Sequence, residues 1–231
     1  MKSRKKRANR ALTRIVGSVH TLPGLRAAAR LRKGEGIDIV EVRLDCLAKH
    51  EGKLADLLNR IRLPILLTAR HPGEGGSGSL TAPRRLQLLG TFLPFASLVD
   101  VELRSAGAFA DLLAAARRRG TEIVLSFHNF ALTPGDGALG KKQREARALG
   151  ADICKIAVQV KKTADLARLL GIQARAAHPL ATMGMGPFGK VSRLVLPLAG
   201  SCLAYGYIDR PQVVGQWPAA VLARRLKEIN S

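Results

Sequence analysis

The chain has 231 residues, of which 38 are Lys or Arg and 17 are Asp or Glu, so its formal net charge is +21. Apolar residue types make up 47% of the chain, which excludes a generally disordered protein, and no apolar run reaches the ~18 residues of a transmembrane helix. Three widely spaced cysteines without a CxxC pair argue against a disulfide scaffold and a structural zinc site.

The first 14 residues carry seven basic side chains and no acidic one. They are not followed by the apolar segment of a secretory signal, which favours a cytoplasmic location. We expect residues 1–14 to form a disordered, solvated tail. Weak, non-specific contact with RNA or another polyanion is the alternative, although no aromatic residue accompanies these charges to stack on bases.

From residue 14 onward, short β-rich segments alternate with segments of helical apolar periodicity. The predicted strands are 14–20, 37–45, 64–70, 97–103, 122–128, 151–160, 178–184 and 200–207. Each is followed by a helix-compatible segment, an order that favours parallel pairing with right-handed crossovers. Eight such units predict an α/β fold, a single-domain (β/α)8 TIM barrel over residues 15–231. A doubly wound open sheet is the competing fold, but no GxGxxG motif follows the first strand.

Five consecutive predicted strands place ionisable groups on one face only. Because alternate side chains of a strand share a face, each of these strands has an apolar side and a polar side. In a barrel the polar sides all point into one interior, near the strand ends where barrel active sites form. The converging groups are Glu41, Arg43, Arg70, Glu102, His128 and Lys155. A buried salt-bridge network is the alternative interpretation, because unpaired charges in a protein interior are costly.

Lys155 is the most informative member of this set. Surroundings that disfavour the charged form of a lysine free its amine to attack a carbonyl and form a Schiff base. His128 belongs to the residue type that titrates near neutrality and can move protons beside that amine. Nearby arginines suit a carboxylate on the substrate. The residue types therefore predict a Schiff-base lyase or aldolase that acts on a small anionic ketone and needs no metal and no cofactor.

The sequence resembles the type I 3-dehydroquinate dehydratase family at these residues. The matching segments occur in the family's order and cover most of residues 15–222. They are EVRLD (41–45), LLTARHPGEGG (66–76), VDVEL (99–103), SFHNF followed by TP (126–134), GADICKIA (150–157), MGMGPFGKVSRL (183–194) and GQ (215–216).

The resemblance implies dehydration of 3-dehydroquinate to 3-dehydroshikimate in the shikimate pathway. It implies that Lys155 forms the Schiff base, that His128 removes the C2 proton and later protonates the leaving hydroxide, and that Glu74 orients His128. The substrate-binding residues that it implies are Glu41, Arg43, Arg70, Arg193 and the lid-loop residue Gln216. Ser18, at the end of the first strand, is a further candidate for substrate contact, with simple packing as its alternative.

The chain departs from the family pattern at Gln212, which stands where the family usually has a serine four residues before the lid glutamine. Closure over the substrate is therefore expected to use different contacts. Two other classes of function stay open, namely another Schiff-base barrel enzyme such as an aldolase or transaldolase, and a non-catalytic polyanion-binding protein. The expected partner is the small anionic substrate, with no membrane, and the resemblance also implies a homodimer.

Overall fold

Eight strands alternate with helices along the part of the chain that the computed structural model describes, residues 13–230. The strands are β1 (Arg14–Val19), β2 (Ile39–Arg43), β3 (Ile65–Thr68), β4 (Leu98–Glu102), β5 (Glu122–Asn129), β6 (Ile153–Gln159), β7 (Leu180–Met185) and β8 (Leu203–Tyr207). The helices are α1 (Leu22–Ala28), α2 (Leu44–Leu47), α3 (Leu54–Leu58), α4 (Ala82–Phe92), α5 (Ala110–Arg118), α6 (Asp136–Ala148), α7 (Thr163–Ala174), α8 (Gly189–Leu198) and α9 (Ala219–Asn230). Each predicted strand has its counterpart here.

The strands form one parallel sheet that curls round until its first strand meets its last. β1 pairs with β2 on one side and with β8 on the other, with Arg14 opposite Leu203. Between β7 and β8 the backbone N–H of Cys202 donates to the carbonyl of Leu180 at 3.0 Å. The predicted (β/α)8 barrel is therefore confirmed, and the doubly wound alternative was wrong because an open sheet would leave β1 and β8 apart.

Two apolar layers enclose the strands. Outward-facing side chains such as Val40, Leu67 and Leu125 pack against the helices in the main core. Inward-facing side chains at the start of the strands form a separate apolar cluster inside the barrel, including Ile39, Leu66, Leu98, Val124 and Ile153. Two residues further along the same five strands, the inward positions are all polar: Glu41, Thr68, Asp100, Ser126 and Lys155. The barrel interior is thus apolar where the strands start and polar where they end.

The bounds of the predicted strands differ from those of the structure by up to three residues, and two of these differences have a clear meaning. β2 ends at Arg43, and α2 begins at Leu44, although the sequence predicts a strand to residue 45. The buried carboxylate of Asp45 explains this early turn, because it accepts hydrogen bonds from the side chain of Arg43 and from the backbone N–H groups of Arg70 and Ser77. The second difference concerns the tail predicted for residues 1–14. Residues 1–12 lie outside the described part of the chain, and Arg14 already belongs to β1.

Within residues 13–230, no helix combines the length and the apolar character that crossing a membrane requires.

Candidate active site

A cavity of about 550 Å³ opens at the end of the barrel where the strands terminate. All of the predicted catalytic and substrate-binding side chains line it, and they are Ser18, Glu41, Arg43, Arg70, Glu74, His128, Lys155, Arg193 and Gln216. Parallel strands deliver their last inward-facing residues to one opening, so these distant parts of the sequence meet. Glu102, the remaining member of the converging set, is fully buried behind this lining.

Lys155 projects from β6 into the cavity and lies between two carboxylates. Its Nζ atom is 3.0 Å from Oδ2 of Asp100 and 3.9 Å from Oε1 of Glu41. The ring of Tyr205 lies 4.1 Å from Nζ, within the range of a cation–π interaction. The charged groups in contact with this amine are thus carboxylates and not arginines. A proton on the amine therefore has an acceptor within hydrogen-bond distance.

Asp100 holds together the polar layer of the barrel. It accepts hydrogen bonds from Nη1 of Arg70 at 2.8 Å and from the hydroxyl of Ser126 at 2.6 Å, in addition to its contact with Lys155. Although burial opposes ionisation, the charges of Arg70 and Lys155 keep the pKa of Asp100 well below its ordinary value. Asp100 is therefore a permanent anion beneath the amine.

Arg70 and Glu102 belong to a buried ion-pair network as well as to the site. Nη1 of Arg70 donates to Glu102 at 3.1 Å, and Arg85 of α4 pairs with the other oxygen of Glu102. Burial opposes the positive charge of Arg70, but Asp100 and Glu102 raise its pKa well above the ordinary value. The salt-bridge network that was the alternative interpretation of the polar face is thus present, and it supports the cavity from behind. Arg85 was missed because it comes from a helix and not from a strand.

Glu74 and His128 form a hydrogen-bonded pair at the cavity wall. One carboxylate oxygen of Glu74 lies 3.0 Å from Nδ1 of His128 and also accepts the backbone N–H of His128 at 3.0 Å. Burial, followed by the charges of Arg70 and Lys155, lowers the pKa of His128 well below 6.5. Burial and the nearby charge of Glu102 raise the pKa of Glu74 to about 7. The imidazole is neutral at pH 7, as a general base must be.

The loop that carries Glu74 is shaped by two glycines. Residues 72–74 form a single turn of 3-10 helix, and Gly75 ends it with φ of 82°, a left-handed conformation that glycine adopts without strain. A Cβ atom on Gly76 would overlap the backbone carbonyl of Arg70. This tight turn brings the Glu74 carboxylate from the loop after β3 back to His128 on β5.

Arg193 lies in α8 and points its guanidinium into the barrel mouth from the side. Its Nη1 atom donates to the carbonyls of Gly184 at 2.7 Å, Gly189 at 3.0 Å and Gly215 at 2.9 Å, while Nε donates to Tyr205 at 3.2 Å. The carbonyls orient the group without neutralising it, and burial lowers the pKa of Arg193 to about 10. Among the described residues no carboxylate lies within ion-pair distance of this buried cation, which suits it to an anionic ligand.

Gln212 ties the loop after β8 to the opposite side of the cavity. Its Oε1 atom accepts from Nη1 of Arg43 at 2.8 Å, and its backbone N–H donates to Oε1 of Gln216 at 2.7 Å. Arg43 also forms a two-point ion pair with Asp45, which raises the pKa of Arg43 although burial opposes its charge. The residue that departs from the family pattern therefore contacts one of the predicted substrate-binding arginines directly.

Ser18 and Glu41 complete the polar wall next to β1. The Ser18 hydroxyl donates to Oε2 of Glu41, and Thr68 donates to Oε1 of Glu41 at 2.9 Å. Ser18 is only 1% exposed, and it influences the cavity through its hydrogen bond to Glu41. Within residues 13–230, no group of three or more His, Cys, Asp or Glu side chains is arranged to hold a metal ion.

Three residues of this site were missed by sequence reasoning, namely Asp45, Asp100 and Tyr205. Asp100 shares the inward face of β4 with Glu102, so the alternation that selects Glu102 also points to Asp100. Asp45 is part of the EVRLD segment, but its role depends on a turn that the strand prediction did not include. Nothing in the sequence around Tyr205 distinguishes it from an ordinary packing residue.

Comparisons with known proteins identify the family of this chain. The type I 3-dehydroquinase family model matches residues 9–231. A 3-dehydroquinate dehydratase of Methanocella arvoryzae is 34% identical over 204 residues, which is 88% of this chain and 90% of that protein. A crystal structure of 3-dehydroquinate dehydratase from Geobacillus kaustophilus HTA426 superimposes with a TM-score of 0.84 at 27% identity, over 94% of this chain and 91% of the other. The chain therefore belongs to the type I 3-dehydroquinase family, and it is an enzyme of the hydro-lyase class.

Proposed function

We propose that this enzyme dehydrates 3-dehydroquinate to 3-dehydroshikimate through a Schiff base on Lys155. Family membership and the names of the relatives support the reaction. The observation that carries the mechanism is the convergence of three groups on one cavity: a buried amine, an imidazole that is neutral at pH 7 and a buried arginine without an anionic partner. Each of these groups has one part in the reaction, and we expect no step to need a metal or an organic cofactor.

The first part is nucleophilic. Lys155 releases a proton to the solvent that enters the open cavity, while Asp100 stays ionised beside it, and the Nζ atom then attacks the ketone carbon of the substrate. The resulting carbinolamine loses water and leaves a protonated imine. The iminium draws electrons from the adjacent C2–H bond and so makes that carbon acidic.

The second part is proton transfer. His128 removes the C2 proton with Nε2, while its Nδ1–H donates to Glu74. The enamine electrons then expel the hydroxyl group from the neighbouring carbon, and the His128 imidazolium returns the proton so that the group leaves as water. Hydrolysis of the conjugated imine releases the enone product and restores Lys155.

The third part is recognition of the substrate. Arg193 is oriented by carbonyl groups and receives the substrate carboxylate in a charge-assisted hydrogen bond. The carboxylate side chain of Glu41 and the guanidinium groups of Arg43 and Arg70 hold the substrate hydroxyls, and Ser18 supports Glu41. Gln216 contributes from the lid loop. The enzyme would serve the shikimate pathway in the cytoplasm.

A trapping experiment tests the Schiff base. The enzyme is incubated with 3-dehydroquinate, turnover is followed by the ultraviolet absorbance of the conjugated enone, and borohydride is then added. We expect a covalent adduct on the peptide that contains Lys155. Lys155→Met should abolish both the adduct and turnover while keeping the fold, because the substitution preserves length and volume.

The exposed Lys161, two residues beyond the end of β6, provides the matched control, and Lys161→Met should be trapped and turn over normally. An adduct on another lysine would exclude the proposed mechanism. An adduct on Lys155 without enone formation would favour the aldolase-like alternative.

A further inference from the structure

Five arginines surround a second cavity, which we call the arginine groove. They are Arg26 in α1, Arg30 and Arg32 after α1, and Arg60 and Arg62 after α3. The groove has a volume of about 570 Å³, and the rest of its lining is Ala29, Leu57 and Asn59. Because the connections after α1 and α3 lead into the beginnings of β2 and β3, the groove lies at the end of the barrel opposite the active site.

The guanidinium groups of the groove form no ion pair within the described part of the chain, and a nearby carboxylate, that of Glu35, accepts only the backbone N–H of Arg32 at 2.9 Å. All five arginines are exposed, and none lies within 4.0 Å of a carboxylate oxygen through its guanidinium. The one guanidinium contact is between Nη1 of Arg32 and the carbonyl of Arg30, at 3.1 Å. Unpaired exposed arginines such as Arg118 and Arg147 also occur elsewhere, and others are paired, as Arg225 is with Glu228 and Arg175 with Asp136. The groove is set apart because five unpaired arginines line one cavity. The groove therefore concentrates unbalanced positive charge.

The chemistry of the lining selects the kind of ligand. Guanidinium groups bind phosphate in a planar, two-point geometry, and five of them in one groove suit several phosphates in a row. No aromatic side chain lines the groove, so it offers no surface on which a base could stack. Recognition would therefore be limited to a backbone of phosphates.

The basic sequence that precedes β1 favours a long anionic ligand over a compact one. β1 starts at Arg14 on the same end of the barrel as the groove, and residues 1–12, which precede it, carry six basic side chains and no acidic one. The sequence that leads into β1 is therefore basic as well. We propose that the arginine groove binds the sugar-phosphate backbone of single-stranded RNA without regard to base sequence.

The test compares full-length variants that lose equal charge. The groove variant is Arg30→Gln/Arg32→Gln/Arg60→Gln/Arg62→Gln. The control variant replaces four exposed basic residues that do not line the groove by Gln, namely Arg118, Lys141, Arg224 and Lys227. Binding of a fluorescent 20-nucleotide RNA is measured by anisotropy from about 50 to about 300 mM KCl, a range over which phosphate contacts weaken strongly.

We expect the groove variant to bind RNA at least about tenfold more weakly at low salt. We also expect the slope of log K against log salt to become shallower by about 2 to 3, because each phosphate contact on a single strand contributes about 0.7. The control variant should stay within about threefold of the wild type. Equal losses in the two variants would overturn the proposal, because binding would then depend on total charge alone.

Tripolyphosphate separates RNA from a small anion. If tripolyphosphate binds the wild type as tightly as RNA does and loses affinity in the groove variant, the groove is a small-anion site and the RNA proposal fails. Thermal melting of each variant monitors the fold, and the double variant Arg60→Gln/Arg62→Gln, expected to lose about half of the slope change, replaces the fourfold one if that is unstable. The readout is binding, so its outcome does not depend on the dehydratase activity.

Discussion

The pair formed by Glu74 and His128 determines the protonation state in which the base meets the substrate. Burial and the charges of Arg70 and Lys155 keep the imidazole neutral at pH 7. When the single ring proton lies on Nδ1, it donates to the Glu74 carboxylate and leaves the lone pair on Nε2. The carboxylate thus selects the tautomer that proton abstraction needs.

Replacing His128 should separate proton transfer from covalent binding. His128→Ala removes the general base, which is typically worth ~10²–10⁴-fold in rate, so kcat should fall by about that factor. Borohydride should still trap substrate on Lys155, because imine formation needs the amine and not the imidazole. His178→Ala, an exposed histidine outside the cavity, should leave kcat unchanged. A near-normal kcat in His128→Ala would remove this residue from the mechanism.

The pH profile of kcat/KM should reveal Glu74. Its pKa is raised to about 7, so Glu74 becomes protonated as the pH falls through 7 and loses the negative charge that strengthens its hydrogen bond with the Nδ1–H of His128. We expect kcat/KM to decrease below about pH 7, whereas ionisation of His128 itself lies at lower pH. Glu74→Gln cannot ionise, so its lower activity should be flat across this range. A persistent acidic limb in Glu74→Gln would assign the titration to another group.

Single site residues could be predicted from the sequence where the alternation of side chains along a strand shows which side chains point into the barrel. Lys155, His128 and Glu41 were found in this way, since each faces inward on a recognisable strand. The resemblance supplied Glu74 as the partner of His128, but the partner of Lys155 could not be found, because contacts between strands depend on the stagger of the barrel. In the observed register Ser126 stands opposite Lys155, and Asp100 is opposite Val124, yet Asp100 makes the contact with the amine.

Among the larger elements, the loop after β8 makes a long-range contact that the sequence did not predict. Sequence comparison could indicate that Gln212 replaces a serine, but not that its amide oxygen would lie 2.8 Å from a guanidinium on β2. Such long-range contacts of loops have no periodic signal in sequence. The strands themselves were predictable because their apolar faces repeat every second residue.

Shortening Gln212 should loosen this loop. A hydrogen bond to a charged group contributes roughly 1.5–3 kcal/mol, so Gln212→Ala should make closure less favourable and raise KM about tenfold or more, with little change in kcat. Gln87→Ala is a matched control, because the exposed Gln87 accepts from Arg84 at the same distance of 2.8 Å. A lower KM in Gln212→Ala would mean that Gln212 occupies a nitrogen that the substrate needs.

For the whole molecule, the net charge of +21 acts on the substrate before any contact forms. A positive field attracts an anion and is screened over about 10 Å at 0.1 M salt. We expect kcat/KM for 3-dehydroquinate to fall at least about threefold between low and high ionic strength, with kcat nearly constant, because screening weakens capture but not chemistry. Steady-state assays with a neutral solute as control will test this. A parallel fall in kcat would indicate that salt disturbs the site itself.

The pairing of β1 with β8 has a consequence for the order in which the molecule is made. The ladder joins residues 14–18 to residues 203–207, so one edge of β1 has no partner until nearly the whole chain has left the ribosome. An unpaired, apolar strand edge is a site for wrong pairing and aggregation. β1 has only six residues, and it begins with Arg14, a charged residue that follows the basic segment. A short edge strand and neighbouring charges of one sign both oppose wrong strand pairing. The basic N-terminal region can therefore keep nascent chains apart by charge repulsion until β8 has been made and pairs with β1.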